Sequence, residues 1–187
     1  MLDPCAVSPQ TIQRAQAVRL LILDVDGVLT DGRIIIDDQG REEKHFDVQD
    51  GAGLKYWHRA GNRSAILTGR ESPAVVHRAK ELGITIVRQK ALDKLAGYES
   101  ILAEAGVSDG EVAYVGDDVT DLPVLRRAGF SAVVAEGAPE AKAAALYVTQ
   151  RPGGRGAVRE VIEKLLRLQG RWDALMDRYR PAGKPAG

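Results

Sequence analysis

Four short stretches of the chain combine residue types and spacings suited to chemistry, and each follows an apolar run. "DVDGVLTDG" places Asp24 and Asp26 two residues apart, and "LTGR" brings Thr68, Gly69 and Arg70. Lys94 opens the helical segment beyond "ITIVRQ", and "GDDVTD" supplies Asp117, Asp118 and Asp121. Carboxylates gathered this closely repel one another unless a hard cation shares them, and an all-oxygen set that keeps some water suits Mg²⁺ better than zinc. With a hydroxyl and two cations beside them, the combination describes a phosphate and metal site. Taken singly, each stretch has a simpler reading, because Asp and Thr cap helices and Gly closes turns. Independent caps would not be expected to set a carboxylate pair, a hydroxyl, a lysine and further carboxylates in one order on successive strand ends.

The elements that must position these residues follow from periodicity. "SPQTIQRAQAV" reads as a short helix with Ser8 at its cap and Pro9 in its first turn, and "RLLILDV" as a central strand covered on both faces. "GRIIIDDQGREEKHFDV" reads as a β-hairpin over about 33–47, turning at Asp37, Asp38, Gln39 and Gly40. Helical stripes in "GAGLKYWHRAG", "SPAVVHRAKELG", "LDKLAGYESILAEAG", "DLPVLRRAG" and "GAVREVIEKLLRL" then alternate with the apolar runs "RSAILT", "ITIVRQ", "VAYVG" and "SAVVA", with "ALYVT" a weaker strand. This alternation predicts an α/β fold, a Rossmann-like doubly wound parallel sheet with helices on both faces, whose crevice lies beyond the strands' carboxyl ends. The expected organisation is a single domain over 1–170 and a loose tail over 171–187, with Trp172 and Tyr179 unassigned. His45, His58 and His77 read as surface or packing residues, and Leu54, Tyr56 and Trp57 as core or interface.

Composition narrows the function. In 187 residues Lys plus Arg equals Asp plus Glu at 26 each, so nothing favours nucleic acid or another polyelectrolyte partner. The single cysteine, Cys5, can form neither an internal disulfide nor a cysteine metal site, which fits a reducing compartment. No run approaches a membrane span, and "MLDPCAVSPQ" lacks the basic-then-apolar pattern of a leader, so the expected location is cytoplasmic, with no membrane partner.

"DVDGVLTDG", "LTGR", Lys94 and "GDDVTD" resemble, in order, the four motifs of the haloacid dehalogenase superfamily of phosphatases. With "FDVQDGAG", "AYVGDD" and "GGRGAVRE", the resemblance narrows to that superfamily's capless octulosonate phosphatases, over roughly residues 10–170. It implies Mg²⁺-dependent hydrolysis of a small phosphorylated sugar acid, 3-deoxy-D-manno-octulosonate 8-phosphate, in lipopolysaccharide biosynthesis. By this resemblance Asp24 is the nucleophile that becomes an aspartyl phosphate, and Asp26 is the general acid and base. Asp24, the Asp26 backbone carbonyl and Asp117 would hold Mg²⁺, Thr68 and Lys94 would bind the phosphoryl oxygens, and Asp118 and Asp121 would orient either Lys94 or metal-bound water. Gly69 and Arg70 would meet the substrate, the guanidinium binding the sugar acid's carboxylate; the competing role for Arg70 is a salt bridge to Glu71 or Glu81. A nine-carbon sugar-acid 9-phosphate and a noncatalytic binding module remain alternatives.

The spacing leaves no room for a cap domain, so a neighbouring subunit is the expected lid. Ile34, Ile35 and Ile36 give the hairpin apolar side chains on both faces. The resemblance implies a homotetramer in which hairpins pack together. The glycine-rich stretch carrying Arg155 reads either as a segment that reaches an anionic sugar, in its own or a neighbouring site, or as a simple loop.

Overall fold

Strand β1 (Leu20–Leu23) is buried along its whole length, as a run of Leu and Ile demands when both faces of a strand are covered. The hairpin follows as β2 (Ile35–Ile36) and β3 (Glu42–Glu43), and then come β4 (Arg63–Leu67), β5 (Ile86–Arg88), β6 (Val112–Gly116), β7 (Phe130–Val133) and β8 (Tyr147–Val148). In the computed structural model, which describes residues 8–179, six of these strands form one parallel sheet in the order β5–β4–β1–β6–β7–β8. The chain builds outward from β1 to β5, returns to β6 beside β1, and builds outward the other way. The reversal lies between β1 and β6, where a doubly wound sheet opens a crevice at its carboxyl edge.

Alternate strand residues serve opposite cores. Leu21 and Leu23 pack into one with α1 (Pro9–Ala17), α2 (Val48–Arg59), α3 (Pro73–Leu82) and α7 (Ala157–Leu168). Leu20 and Ile22 face the other, built from α4 (Lys94–Ala105), α5 (Leu122–Leu125) and α6 (Pro139–Ala144). Helix α7 shows why the stripe was legible: Val158, Val161, Ile162, Leu165 and Leu166 recur at helical spacing and are all buried. Ser8 caps α1 as expected, its Oγ accepting from Thr11 N at 3.2 Å. Helix α6 was not anticipated, because "PEAKAA" has no apolar stripe and only Ala141 is buried.

Two expectations need correction. The hairpin pairs only two residues per strand, Ile35 with Glu43 and Ile36 with Glu42; past β3 the Lys44 side chain turns inward to Asp26. The expected loose tail over 171–187 instead begins as a helix, α8 (Trp172–Asp177). Trp172 is buried with its ring edge-on to Tyr56 at 5.9 Å between centroids, under the guanidinium groups of Arg159 and Arg167. Leu175 and Met176, three and four positions on, pack against the same core, so the helix docks through a short stripe led by one large aromatic side chain. Residues 180–187 and Cys5 lie outside the described residues. Among the described residues no helix is long and apolar enough to cross a membrane.

Helix α7 starts at Gly156 without a cap of its own. Buried Asp50 of α2 supplies one, accepting from Gly156 N at 3.2 Å and Arg159 N at 2.7 Å. Asp50→Ala would leave both donors without a partner, a loss of about 1–3 kcal/mol in urea unfolding, while Asp50→Asn, which keeps one acceptor oxygen, should lose less.

Candidate active site

The parallel registers align the strand ends. Leu23 lies beside Ile66 and Val115, so Asp24, Thr68 and Asp117 leave the sheet on one rim. Asp24 stays in the ladder through its N–H to Val115 O at 3.1 Å, and Thr68 does so through its N–H to Arg88 O at 2.9 Å. Lys94 arrives from the first turn of α4, which Asp93 caps at Leu95 N and Ala96 N, both at 3.0 Å. Together with Asp26, Gly69, Arg70 and Asp118, these residues line a cavity of about 340 Å³.

At its floor the buried Lys94 ammonium donates to Asp24 Oδ2 and, at 2.5 Å, to Asp121 Oδ1. Asp121 also accepts from Tyr114 Oη at 2.6 Å, Asp117 N at 2.8 Å and Asp118 N at 3.2 Å. Both its oxygens are therefore committed, and it acts as the anchor of Lys94. Asp118 does not reach Lys94; its exposed carboxylate caps the following turn at Val119 N, 2.7 Å away.

Carboxylate oxygens of Asp24, Asp117 and Asp121 lie within 4.8 Å of one another. Burial pushes the Asp24 carboxyl up to about 6, with Lys94 opposing and Asp121 adding to the rise. Burial, reinforced by the charges of Asp24 and Asp121, pushes Asp117 up to about 7. Burial alone would lower Lys94, but the two aspartates outweigh it and raise it, so the ammonium stays charged. One ammonium thus faces three carboxylates, an oxygen-only set short of positive charge, and that is an arrangement a hard divalent cation fits.

The opposite wall comes from the hairpin. Lys44 donates to Asp26 Oδ1 at 2.5 Å with its side chain only 2% exposed, and it lies 3.4 Å from Glu42. Glu42 accepts from Arg70 Nη2 at 2.5 Å, while Arg70 Nη1 stands 3.8 Å from Asp26 Oδ2. Arg70 is therefore paired with Glu42, not with Glu71 or Glu81, which bind Lys90 and Arg78. Lys44, Glu42, Tyr114 and Asp50 were absent from the sequence-based site. The available signal for the first two was strand periodicity: Glu42 and Lys44 share one face, while Glu43 and His45 on the other are exposed.

Arg155 is not brought to this cavity. It is largely exposed, 3.9 Å from Asp31, in an adjoining cavity of about 440 Å³ that shares Gly27, Gly32 and Asp117 with the first. Its loop serves its own chain: Gly154 N donates to Val28 O at 2.9 Å, and a Cβ on Gly153 would fall 1.7 Å from Gly27 O.

The curated 3-deoxy-D-manno-octulosonate 8-phosphate phosphatase KdsC of Escherichia coli (strain K12) is 44% identical over 167 residues, 89% of each chain. The chain belongs to this phosphatase family. The haloacid dehalogenase-like hydrolase family model matches residues 42–129. A solved family structure, the Moraxella catarrhalis 3-deoxy-D-manno-octulosonate 8-phosphate phosphatase in complex with magnesium ion, phosphate ion and a KDO molecule, superposes with a TM-score of 0.89 at 42% identity, covering 91% of this chain and 98% of that one. The cobalt-bound phosphatase of Haemophilus influenzae aligns with a TM-score of 0.82 at 38% identity, over 84% and 92% of the two chains.

A phosphatase domain built this way has a pH signature. Asp24, Asp50 and Asp117 hold protons more tightly folded than unfolded, so the stability they contribute to the metal-free protein falls as pH rises from about 4 to about 7, opposed in part by His58, which burial lowers. The expected result is a melting temperature that drops across this window. Excess Mg²⁺ should restore it increasingly toward pH 7, as calorimetry with and without the ion would show.

Proposed function

We propose that this chain is a Mg²⁺-dependent phosphomonoesterase that hydrolyses 3-deoxy-D-manno-octulosonate 8-phosphate to 3-deoxy-D-manno-octulosonate and phosphate. The observation that carries the reading is the strand-end cluster, in which Lys94 is fixed between Asp24 and Asp121 while Thr68, Asp26 and Asp117 face the same cavity. Its family membership and the sugar acid bound in the Moraxella relative support the substrate.

In the first half-reaction an Asp24 oxygen forms a bond to phosphorus as the ester P–O bond breaks. The bond's electron pair leaves with the sugar oxygen, which takes a proton from Asp26. In the second, a water oxygen attacks phosphorus, its proton passes to Asp26, and the bond to Asp24 breaks, which returns the enzyme to its starting state. Lys94 and Thr68 bind the phosphoryl oxygens, and Lys94 balances the charge spread over them in a loose transition state. Asp24, the Asp26 backbone carbonyl and Asp117 would hold Mg²⁺, whose charge would offset the repulsion between the phosphate and the carboxylates. Gly69 and Arg70 contact the sugar acid, whose carboxylate competes with Glu42 for the guanidinium.

The reading extends to a cytoplasmic homotetramer in which hairpins pack together and a neighbour helps close each site. Ile34 at 61% exposure and Ile36 at 57% support it, since the hairpin otherwise presents both to water. Light scattering should give four times the chain mass, and Ile34→Asp with Ile36→Asp should reduce it; a wild-type monomer would refute the assembly.

Phosphate release with Mg²⁺ from the eight-carbon 8-phosphate, run beside a nine-carbon sugar-acid 9-phosphate, tests the activity. The expected outcome is a strong preference for the former, with turnover abolished in Asp24→Asn. Preference for the longer ester would change the substrate and keep the chemistry, and release from neither would return the chain to a binding role.

A further inference from the structure

Lys44 is the one hairpin side chain driven into the domain to touch a reacting group. Its neighbours along the hairpin, Ile36, Glu43 and His45, stay largely exposed, whereas the Lys44 side chain is 2% exposed. A desolvated ammonium is costly unless paired, and its partners here are Asp26 Oδ1 at 2.5 Å and Glu42 at 3.4 Å. Fastening the hairpin does not require it, because Glu42 already binds Arg70 of the domain at 2.5 Å.

We infer that Lys44 is the positioning residue of the proton-transferring carboxyl of Asp26. Its hydrogen bond occupies Oδ1 and fixes the carboxyl plane, which leaves Oδ2 to carry the proton. Oδ2 has no hydrogen bond from any described residue, Arg70 Nη1 being 3.8 Å away. When the ester P–O bond breaks, the Oδ2–H bond breaks with it and the proton joins the electron pair on the departing sugar oxygen. The carboxylate left on Asp26 is then met by the Lys44 charge already in contact with it, with no rearrangement in the step. Glu42 ties Lys44 and Arg70 into one unit, so the group that steers the proton and the group that meets the substrate are positioned by the same strand.

This inference rests on the reading of Asp26 as general acid, and leaving-group dependence tests it. An alkyl ester needs its departing oxygen protonated, whereas p-nitrophenolate leaves without help. In Lys44→Met, kcat/KM, which reports only the steps up to release of the alcohol and not the later attack of water, should fall about 100-fold for the sugar phosphate that the wild type cleaves fastest and stay within about 5-fold of wild type for p-nitrophenyl phosphate. Lys44→Arg, which keeps a charged donor, should recover part of the loss. Equal losses in kcat/KM on both esters would mean that Lys44 only holds the hairpin, and no loss in kcat/KM on either would mean that Asp26 positions itself; both overturn the inference. If Lys44→Met does not fold by circular dichroism, Lys44→Gln gives the same comparison. A wild type active on sugar phosphates other than the octulosonate would refute the proposed substrate while leaving this ratio readable.

Discussion

The structure is organised around one electrostatic problem: several carboxylates share a largely buried rim with a single ammonium at the floor. Asp24, Asp117 and Asp121 approach one another closely enough that burial and mutual repulsion raise two of them, Asp24 to about 6 and Asp117 to about 7. Such a cluster persists only where rigid elements impose it. Here those elements are the fully buried strands β1 and β6, which set Asp24 and Asp117 on the two lips of the sheet's reversal point. Tyr114 and two backbone N–H groups lock Asp121, and Asp121 in turn locks Lys94. Gly27 belongs to the same problem: at φ +82 it takes a backbone turn that favours glycine, and a Cβ there would fall 2.0 Å from the Asp117 carboxylate.

The two carboxyls of the first strand end, two residues apart in sequence, face different surroundings. Asp24 points to the floor, among carboxylates and Lys94, where a bound cation would complete the charge. Asp26 points to the hairpin wall, between Lys44 and Arg70. The nucleophile and general-acid roles proposed for these two carboxyls would need environments that separate them, and the strand end aims one down and one out.

The hairpin and the glycine-rich loop show how peripheral segments are recruited to the rim. Gly153 and Gly154 lie directly on the backbone of residues 27–31, an approach that side chains would prevent, and Asp50 caps the helix that follows. The loop thereby braces the turn that carries Asp26, and Arg155 stays exposed beside it. Only the short hairpin and α2 separate β1 from β4, so no second domain covers the cavity among the described residues.

The sequence by itself determined the alternation of strands and helices, the parallel sheet and most of the residues that gather around the cavity at its rim. Continuous apolar runs must become buried strands, and the residues that end them must gather on one rim of a doubly wound sheet. Tertiary structure decided the contacts that cross elements. That Arg70 pairs with Glu42, 28 positions away, depends on where a hairpin folds back. That Asp121 holds Lys94 while Asp118 merely caps a turn depends on angstrom-scale aim within one motif. Strand periodicity puts Lys44 on the same face as Glu42, and Trp172 shares a face with Leu175 and Met176, but the partners that Lys44 and Trp172 meet leave no pattern along the chain. Periodicity reports burial of whole faces; pairing between distant residues is fixed only when the faces meet.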